Sequence, residues 1–239
     1  MLWLAALTIS GYTQDNKIVN DPNARLRAVE GFHGVEVSGS IELYISQGSD
    51  TKLALSAKDP ADIDLIETVV EDGILRIRYK ENKSWLSNQW NTMGRKFRAY
   101  VSSPMIDRLG IVGSGGILIQ GLLQSSELNI ELSGSGNIEG ELRVGKLELD
   151  QSGSGNIRLK GSATEAVFDC SGSGNVYCPD LVTDNCKFDI AGSGNAEITA
   201  NKEISVSIAG SGNVRYRGDA SIRDISTAGS GKLRKVSAF

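Results

Sequence analysis

The sequence is poor in the residues on which most site chemistry depends. Among its 239 residues there is one histidine, His33, which excludes a His/His metal pair and leaves any Ser-His-Asp triad a single possible base. His33 lies in the stretch Gly31-Phe32-His33-Gly34, a setting that reads as a turn or strand edge. Proline is scarce as well: four prolines, set against 28 glycines with no triplet period, exclude both collagen and Pro-rich disorder. Basic residues are outnumbered, 25 Lys and Arg against 29 Asp and Glu for a net charge of −4. No Lys/Arg cluster stands out, so nucleic acid is excluded as an expected partner and an anionic membrane surface is disfavoured.

A membrane-spanning run is also missing. The apolar stretch Leu2-Trp3-Leu4-Ala5-Ala6-Leu7 falls far short of the roughly 20 residues a transmembrane helix needs. It does suit the hydrophobic part of an export signal, because Met1 to Thr13 carry no charge and polar sequence begins at Gln14-Asp15-Asn16. A positively charged segment before it is absent, so an ordinary N-terminal strand is the other reading. The expectation is export, with residues 1–14 as the remnant of a signal peptide and a periplasmic, outer-membrane-associated or extracellular location.

The three cysteines, Cys170, Cys178 and Cys186, stand eight residues apart, a spacing that matches no zinc pattern. An odd count leaves at least one thiol unpaired. All three fall on positions expected to point inward, where free Cys packs as a small hydrophobe; a disulfide between two of them is the alternative.

What the sequence has in abundance is a repeat. Gly-Ser-Gly triplets start at Gly113, Gly134, Gly153, Gly172, Gly192, Gly210 and Gly229, at intervals of 21, 19, 19, 20, 18 and 19. A sustained period of this length signals a solenoid. Asn follows the triplet in the five central repeats, as Asn137, Asn156, Asn175, Asn195 and Asn213, whereas the outermost carry Gly116 and Lys232, as terminal repeats often differ. Apolar residues alternate on both sides of each triplet: Leu128, Ile130 and Leu132 before one, Ile204, Val206 and Ile208 before another, Ile157 and Leu159 after a third. Period two marks a strand with one buried face and excludes a helix.

Each repeat therefore reads as strand, tight Gly-rich corner, strand. One repeat cannot bury its own apolar face, so the repeats must stack in parallel at about 4.8 Å, seven of them making a column roughly 30 Å tall. Glycine permits positive φ and close backbone approach at the corner, and Asn tolerates the left-handed region. Stacked Asn side chains can bond up and down the column as a ladder. A phosphate-binding loop is excluded, since no Lys-Ser/Thr follows the glycines and no helix starts there.

From Val29 to Pro104 strand signals occur without the triplet, including 41–45, 74–79 and 97–101, with turn signals at Gly48-Ser49-Asp50 and Glu71-Asp72-Gly73. Segment 60–66 reads as a single helical turn or an irregular connection. The expected organisation is one continuous domain, with N-terminal strands or irregular first coils over 28–104 and the regular solenoid over 105–239. Within the polar stretch 80–96 lie Trp85 and Trp90, which can stack on a sugar, anchor a protein partner or pack on the solenoid side.

The serial Gly-Ser-Gly-Asn cassettes, preceded by Gly-Ile-Leu-Arg-Ile at 73–77, resemble the bacterial family called putative auto-transporter adhesin, head GIN domain. The resemblance spans about Ala28 to Phe239. It implies an all-β, right-handed parallel β-helix of the pectin-lyase-like kind, exported by Bacteroidetes-type bacteria, with a role in adhesion and no catalytic residues. No cofactor is expected. The partner implied is an extracellular glycan or protein, with self-association also open.

An enzymatic alternative rests on an acidic row. Three residues before four of the triplets stand Glu131, Asp150, Asp169 and Asp189, then Ser207 and Ser226. In register, these carboxylates form a column that repels itself and attracts cations, calcium suiting an all-oxygen site. Neighbouring or next-neighbour coils could also supply the carboxyl separation of about 5 to 9.5 Å that glycoside hydrolysis needs. Lys187 and Arg158 sit on flanking outward positions and could neutralise the row. Solvated acids copied with the repeat are the plainer reading, and the expected function is a non-enzymatic surface or adhesion module, with a polysaccharide lyase or hydrolase as the alternative.

Overall fold

The computed structural model describes residues 21–80 and 95–236. Trp85 and Trp90, and the proposed signal remnant at 1–14, lie outside the described residues. Alternating apolar residues and glycine corners build a parallel β-solenoid of about seven turns. Its regular coils are β9 (Gly116–Gly134), β10 (Asn137–Gly153), β11 (Asn156–Gly172), β12 (Asn175–Gly192) and β13 (Asn195–Gly210), each wrapping the column from one corner to the next. Each pairs in parallel with the next, so like stacks on like: Leu149 on Phe168, Phe168 on Phe188, Phe188 on Val206. The two phenylalanine rings lie 4.4 Å apart and 9° from parallel.

Each coil has a leading leg just after the triplet, such as 137–140, and a trailing leg that runs into the next one, such as 146–152. Between them the chain turns where register slips, Glu139 to Glu141 in one pair and Ile157 to Gly161 in the next. It turns again at Gly145-Lys146, where the alternation of burial changes phase after Val144 and resumes at Leu147.

The triplet corner shows why two glycines are needed. Gly153 has φ +120°, and a Cβ on it would strike the Gly134 carbonyl oxygen; a Cβ on Gly155 would strike that of Gly136. Close approach lets the Gly134 carbonyl accept both the Ser154 N–H at 2.9 Å and the Gly155 N–H at 3.2 Å. The corner is therefore a backbone clamp between coils, and any side chain would force it open.

The N-terminal third joins this column out of sequence order. Strands β2 (Gly34–Gly39) and β3 (Glu42–Gln47) form a coil under β8 (Arg108–Gly113) and the start of β9, all in parallel. Gly39-Ser40-Ile41 is a further corner, lacking the third glycine: the Gly39 carbonyl accepts the Ser114 and Gly115 N–H groups at 2.8 and 2.9 Å. Beneath this coil lie β6 (Ile74–Tyr79) and β7 (Phe97–Ser103), again parallel, so β2 and β3 sit between coils that come later in the chain.

The last layer runs backwards. Strand β4 (Lys52–Ala57) is antiparallel to β7 and β5 (Ile66–Glu71) is antiparallel to β6, with the 3₁₀ turn Pro60–Leu65 as their corner. Asp72 and Gly73, at φ 51° and 75°, make the tight β5–β6 hairpin that right-handed strand twist favours. The short strand β1 (Arg25–Arg27) covers the outer edge of β4. This reversed coil buries Leu53, Leu55, Ile63 and Ile66 and closes that end. One hydrophobic cluster runs from Phe32 to Ala220. At the other end β14 (Asn213–Arg217), β15 (Ser221–Gly229) and β16 (Lys232–Lys235) complete the column, with all of β15 exposed.

Candidate functional site

The interior is packed by side chains, so among the described residues the chemistry lies on the outer rows and in a depression of about 820 Å³ at the reversed end, lined by Asp21, Ser56, Asp59, Asp62, Arg95 and Arg98. The acidic row lies on the trailing legs. Asp150 is in register with Glu131 and Asp169, and Asp169 with Asp189. The row continues through Ser207 and Ser226 one way and through Gly110, Glu36 and Arg76 the other.

Three of its carboxylates are held: Glu131 by Arg108 at 2.6 Å, Asp189 by Lys187 at 2.6 Å and Glu36 by Arg76 at 2.8 Å. Arg158 does not contribute, contrary to the sequence-based expectation. It lies on a leading leg and pairs with Glu139 at 3.3 Å, because outward positions before and after a triplet belong to different faces. At the centre of the row Asp169 titrates above the usual carboxylate range, chiefly through burial and then through repulsion by Asp189 and Asp150. It borders a shallow depression of about 340 Å³ together with Glu131, Asp150 and Ser171. Among the described residues no group of three or more His, Cys, Asp or Glu is arranged to hold a metal ion.

The leading legs carry two further rows. In the first, the five asparagines bond in series: Asn156 Nδ2 donates to Asn137 Oδ1 at 3.2 Å, Asn175 Nδ2 to Asn156 Oδ1 at 3.1 Å, Asn195 Nδ2 to Asn175 Oδ1 at 3.3 Å and Asn213 Nδ2 to Asn195 Oδ1 at 3.2 Å. Two residues along stands the second row. Glu139 pairs with Arg158, Tyr177 with Glu197 and Glu197 with Arg215. Val176 opposite Ile157 carries Tyr177 into line after Arg158.

Tyr177 is 51% exposed and Glu197 only 7%. That carboxylate faces outward yet is covered, with Arg217 Nη2 on its Oε1 at 2.8 Å. Two shallow depressions, of about 330 and 410 Å³, share Arg158 and Tyr177 as lining residues. Tyr177 was not among the candidate residues expected from sequence; it lies between the inward Val176 and Cys178. The signal for it in the sequence is an aromatic five residues after the triplet's first glycine, where the neighbouring repeats carry Glu139, Arg158, Glu197 and Arg215.

His33 and the three cysteines sit in structural settings. His33 Nδ1 lies 2.6 Å from Asp107 Oδ1, and the His33 backbone N–H donates to the Gly73 carbonyl at 2.9 Å, tying the start of β2 to the hairpin. All three cysteines are buried and free. Burial pushes the thiols of Cys170 and Cys178 up to about 12 and that of Cys186 higher still, so none is a ready nucleophile. Among the described residues no helix is long and apolar enough to cross a membrane.

The architecture recurs in solved structures. An adhesin-like protein of Bacteroides fragilis, described as putative, is 24% identical over 89% of this chain and 96% of its own, with a TM-score of 0.78. A "putative lipid binding protein" of Parabacteroides distasonis is 25% identical over the same shares, with a TM-score of 0.72. A putative adhesin of Parabacteroides merdae is 21% identical over 89% of this chain and 95% of its own, with a TM-score of 0.66. No curated protein matches the chain. The corner clamp, the asparagine series and the closed end are thus set in a known frame, and since residues 31–220 match the family described as "Putative auto-transporter adhesin, head GIN domain", the chain belongs to that family.

Proposed function

We propose that this chain is a non-enzymatic, exported surface-binding module whose outer faces contact an extended partner outside the cell. The observation that carries the reading is the alignment of outward side chains in rows along each leg, coil on coil, on a column whose interior is filled. Such a surface gives many small contacts along one direction, which suits adhesion, and the depressions along the outer rows are shallow and open to water. Membership of an adhesin family and adhesin-like neighbours support the same role. The lipid-binding description of one neighbour fits less well, since burying acyl chains calls for an apolar pocket, and the depression of about 820 Å³ at the reversed end is lined by charged groups, among them Asp21, Asp59, Asp62, Arg95 and Arg98.

The test is binding of the purified chain to immobilised mucin, collagen, fibronectin and polysaccharides, compared with heat-unfolded protein. Saturable binding by the folded form alone is the expected result; equal binding by both forms, or none, sinks the reading.

The acidic row gives the competing enzymatic reading its one specific observation, the raised Asp169 between two carboxylates. Release of unsaturated or reducing ends from polygalacturonate, abolished by Asp150→Asn/Asp169→Asn, would establish it. No release is expected.

A further inference from the structure

The asparagine row and Tyr177 together have a chemistry that the acidic row lacks. A primary amide has two N–H donors and two acceptor lone pairs. Asn156 uses one N–H on Asn137 and one lone pair on Asn175, and Asn195 likewise uses one N–H on Asn175 and one lone pair on Asn213. Each keeps one donor and one acceptor for solvent. Asn175, whose Oδ1 accepts both the backbone and side-chain N–H of Asn195, keeps a donor. The row is therefore an uncharged strip of fixed donors and acceptors repeating at the coil spacing of about 4.8 Å. Bonding along the ladder holds the amides in place before any ligand arrives, which lowers the ordering cost of binding.

Beside the strip both carboxylates of the second row are already neutralised, while Arg215 and Asp180 lie at opposite ends of the two depressions. Glu139 is held by Arg158 and Glu197 by Arg217, so an ionic partner gains little from either carboxylate. Between them Tyr177 presents an exposed ring at the junction of the two depressions. An amphipathic ring beside fixed amide groups is what a pyranose needs, its C–H face stacking while its hydroxyls each donate and accept. Both depressions are shallow and run along the column, so the ligand shape that fits is a chain rather than a single sugar.

We propose that the face formed by Asn137, Asn156, Asn175, Asn195 and Tyr177 binds an extended, uncharged polysaccharide laid along the column, with Tyr177 as the stacking platform and the asparagine row reading hydroxyls. This assignment rests on the surface-binding reading above and gives it a site and a ligand class.

The experiment is affinity electrophoresis of the full chain in native gels containing galactomannan, xyloglucan, mixed-linkage β-glucan, α-mannan or dextran, with polygalacturonate and heparin as charged comparisons. At least one neutral polymer should retard the chain. Tyr177→Ala should weaken that retardation at least fivefold, Tyr177→Phe should keep it, and Asp150→Asn/Asp169→Asn, on another face, should leave it unchanged. Tyr177 is exposed, and unchanged circular dichroism and migration in plain gels confirm that the alanine variant is folded.

Retardation by none of the neutral polymers, by the charged ones only, or equally in Tyr177→Ala overturns the assignment. If the chain still adheres to mucin, collagen or fibronectin in those cases, the glycan face fails while the surface-binding reading stands. If it adheres to nothing, both fall.

Discussion

At the scale of single residues, the column tolerates almost no polar group inside, which makes Gln151 conspicuous. It is 3% exposed and occupies the inward place that Leu132 and Cys170 fill on either side. Its Nε2 reaches the Gly155 carbonyl, but its Oε1 is buried with no partner among the described residues. The Gly155 carbonyl also accepts the Asn175 N–H at 3.0 Å, so removing the glutamine leaves no orphan there. Gln151→Leu should stabilise the protein by about 1 kcal/mol, read from urea unfolding at unchanged slope.

The thiols make a second residue-scale prediction. Folded Cys170 and Cys178 keep their protons to about 12, while in the unfolded chain they lose them near the ordinary 9.0. Above pH 9 the unfolded state thus binds fewer protons than the native one, and stability must fall as pH rises. Tyr100, also raised to about 12 by burial and by Asp21, adds to the same decline. Melting temperature should drop steadily from pH 9 upward. A variant with all three cysteines replaced by alanine should show a shallower slope, whatever its starting stability.

Among the elements, the stacked coils derive their order from backbone clamps at the corners and from the asparagine series beside them. The series can be tested by position. Asn175 sits at its centre and loses three hydrogen bonds on truncation, one to Asn156 and two from Asn195, whereas Asn137 at the end loses one. Asn175→Ala should cost about 2 kcal/mol and Asn137→Ala about 0.5 to 1 kcal/mol, since net bonds of this kind contribute roughly 1 kcal/mol each or less when exposed. Equal losses in thermal or urea unfolding would show that the series adds nothing beyond each residue's own turn preference. This ladder was legible in the sequence because Asn recurs at one place in the repeat. The row that carries Tyr177 and Glu197 is aligned by the same repeat, each member five residues after its triplet's first glycine, but its members differ in charge and size, so the spacing marks the row without marking what it does.

For the molecule as a whole, the two ends differ. At the N-terminal end the chain reverses, and Arg27 of β1 lays its guanidinium over the rim. Its Nη1 donates to the Ile66 carbonyl at 2.8 Å and its Nη2 to the Ile63 carbonyl at 2.9 Å. These contacts occupy one acceptor in the 3₁₀ turn and one at the start of β5, which among the described residues pairs with β6 alone and whose open edge would otherwise template pairing with another chain. Arg27→Ala should lower stability by about 1 to 2 kcal/mol and promote concentration-dependent association, followed by sedimentation velocity. A monomer at all concentrations would show that the arginine is not needed as a guard.

Local rules settled much of this molecule before any coordinates. Period-two apolar residues have to become strands buried on one face, paired glycines have to become corners, and a repeat too short to bury itself has to stack. These outcomes depend on neighbours within one coil or on identical neighbours one period away. Tertiary structure alone decided the rest. It placed Gly39 under Gly113 and Gln47 beside Gln124, slid β2 and β3 between coils made later in the chain, and reversed β4 and β5 into a lid. It also put Arg158 beside Glu139 instead of the acidic row and covered the outward-facing Glu197. The contacts of the N-terminal third join segments far apart in sequence that share no repeat, so no local pattern could encode which surface each would meet, whereas Arg158 and Glu139 stand one period apart and their pairing follows from the stacking.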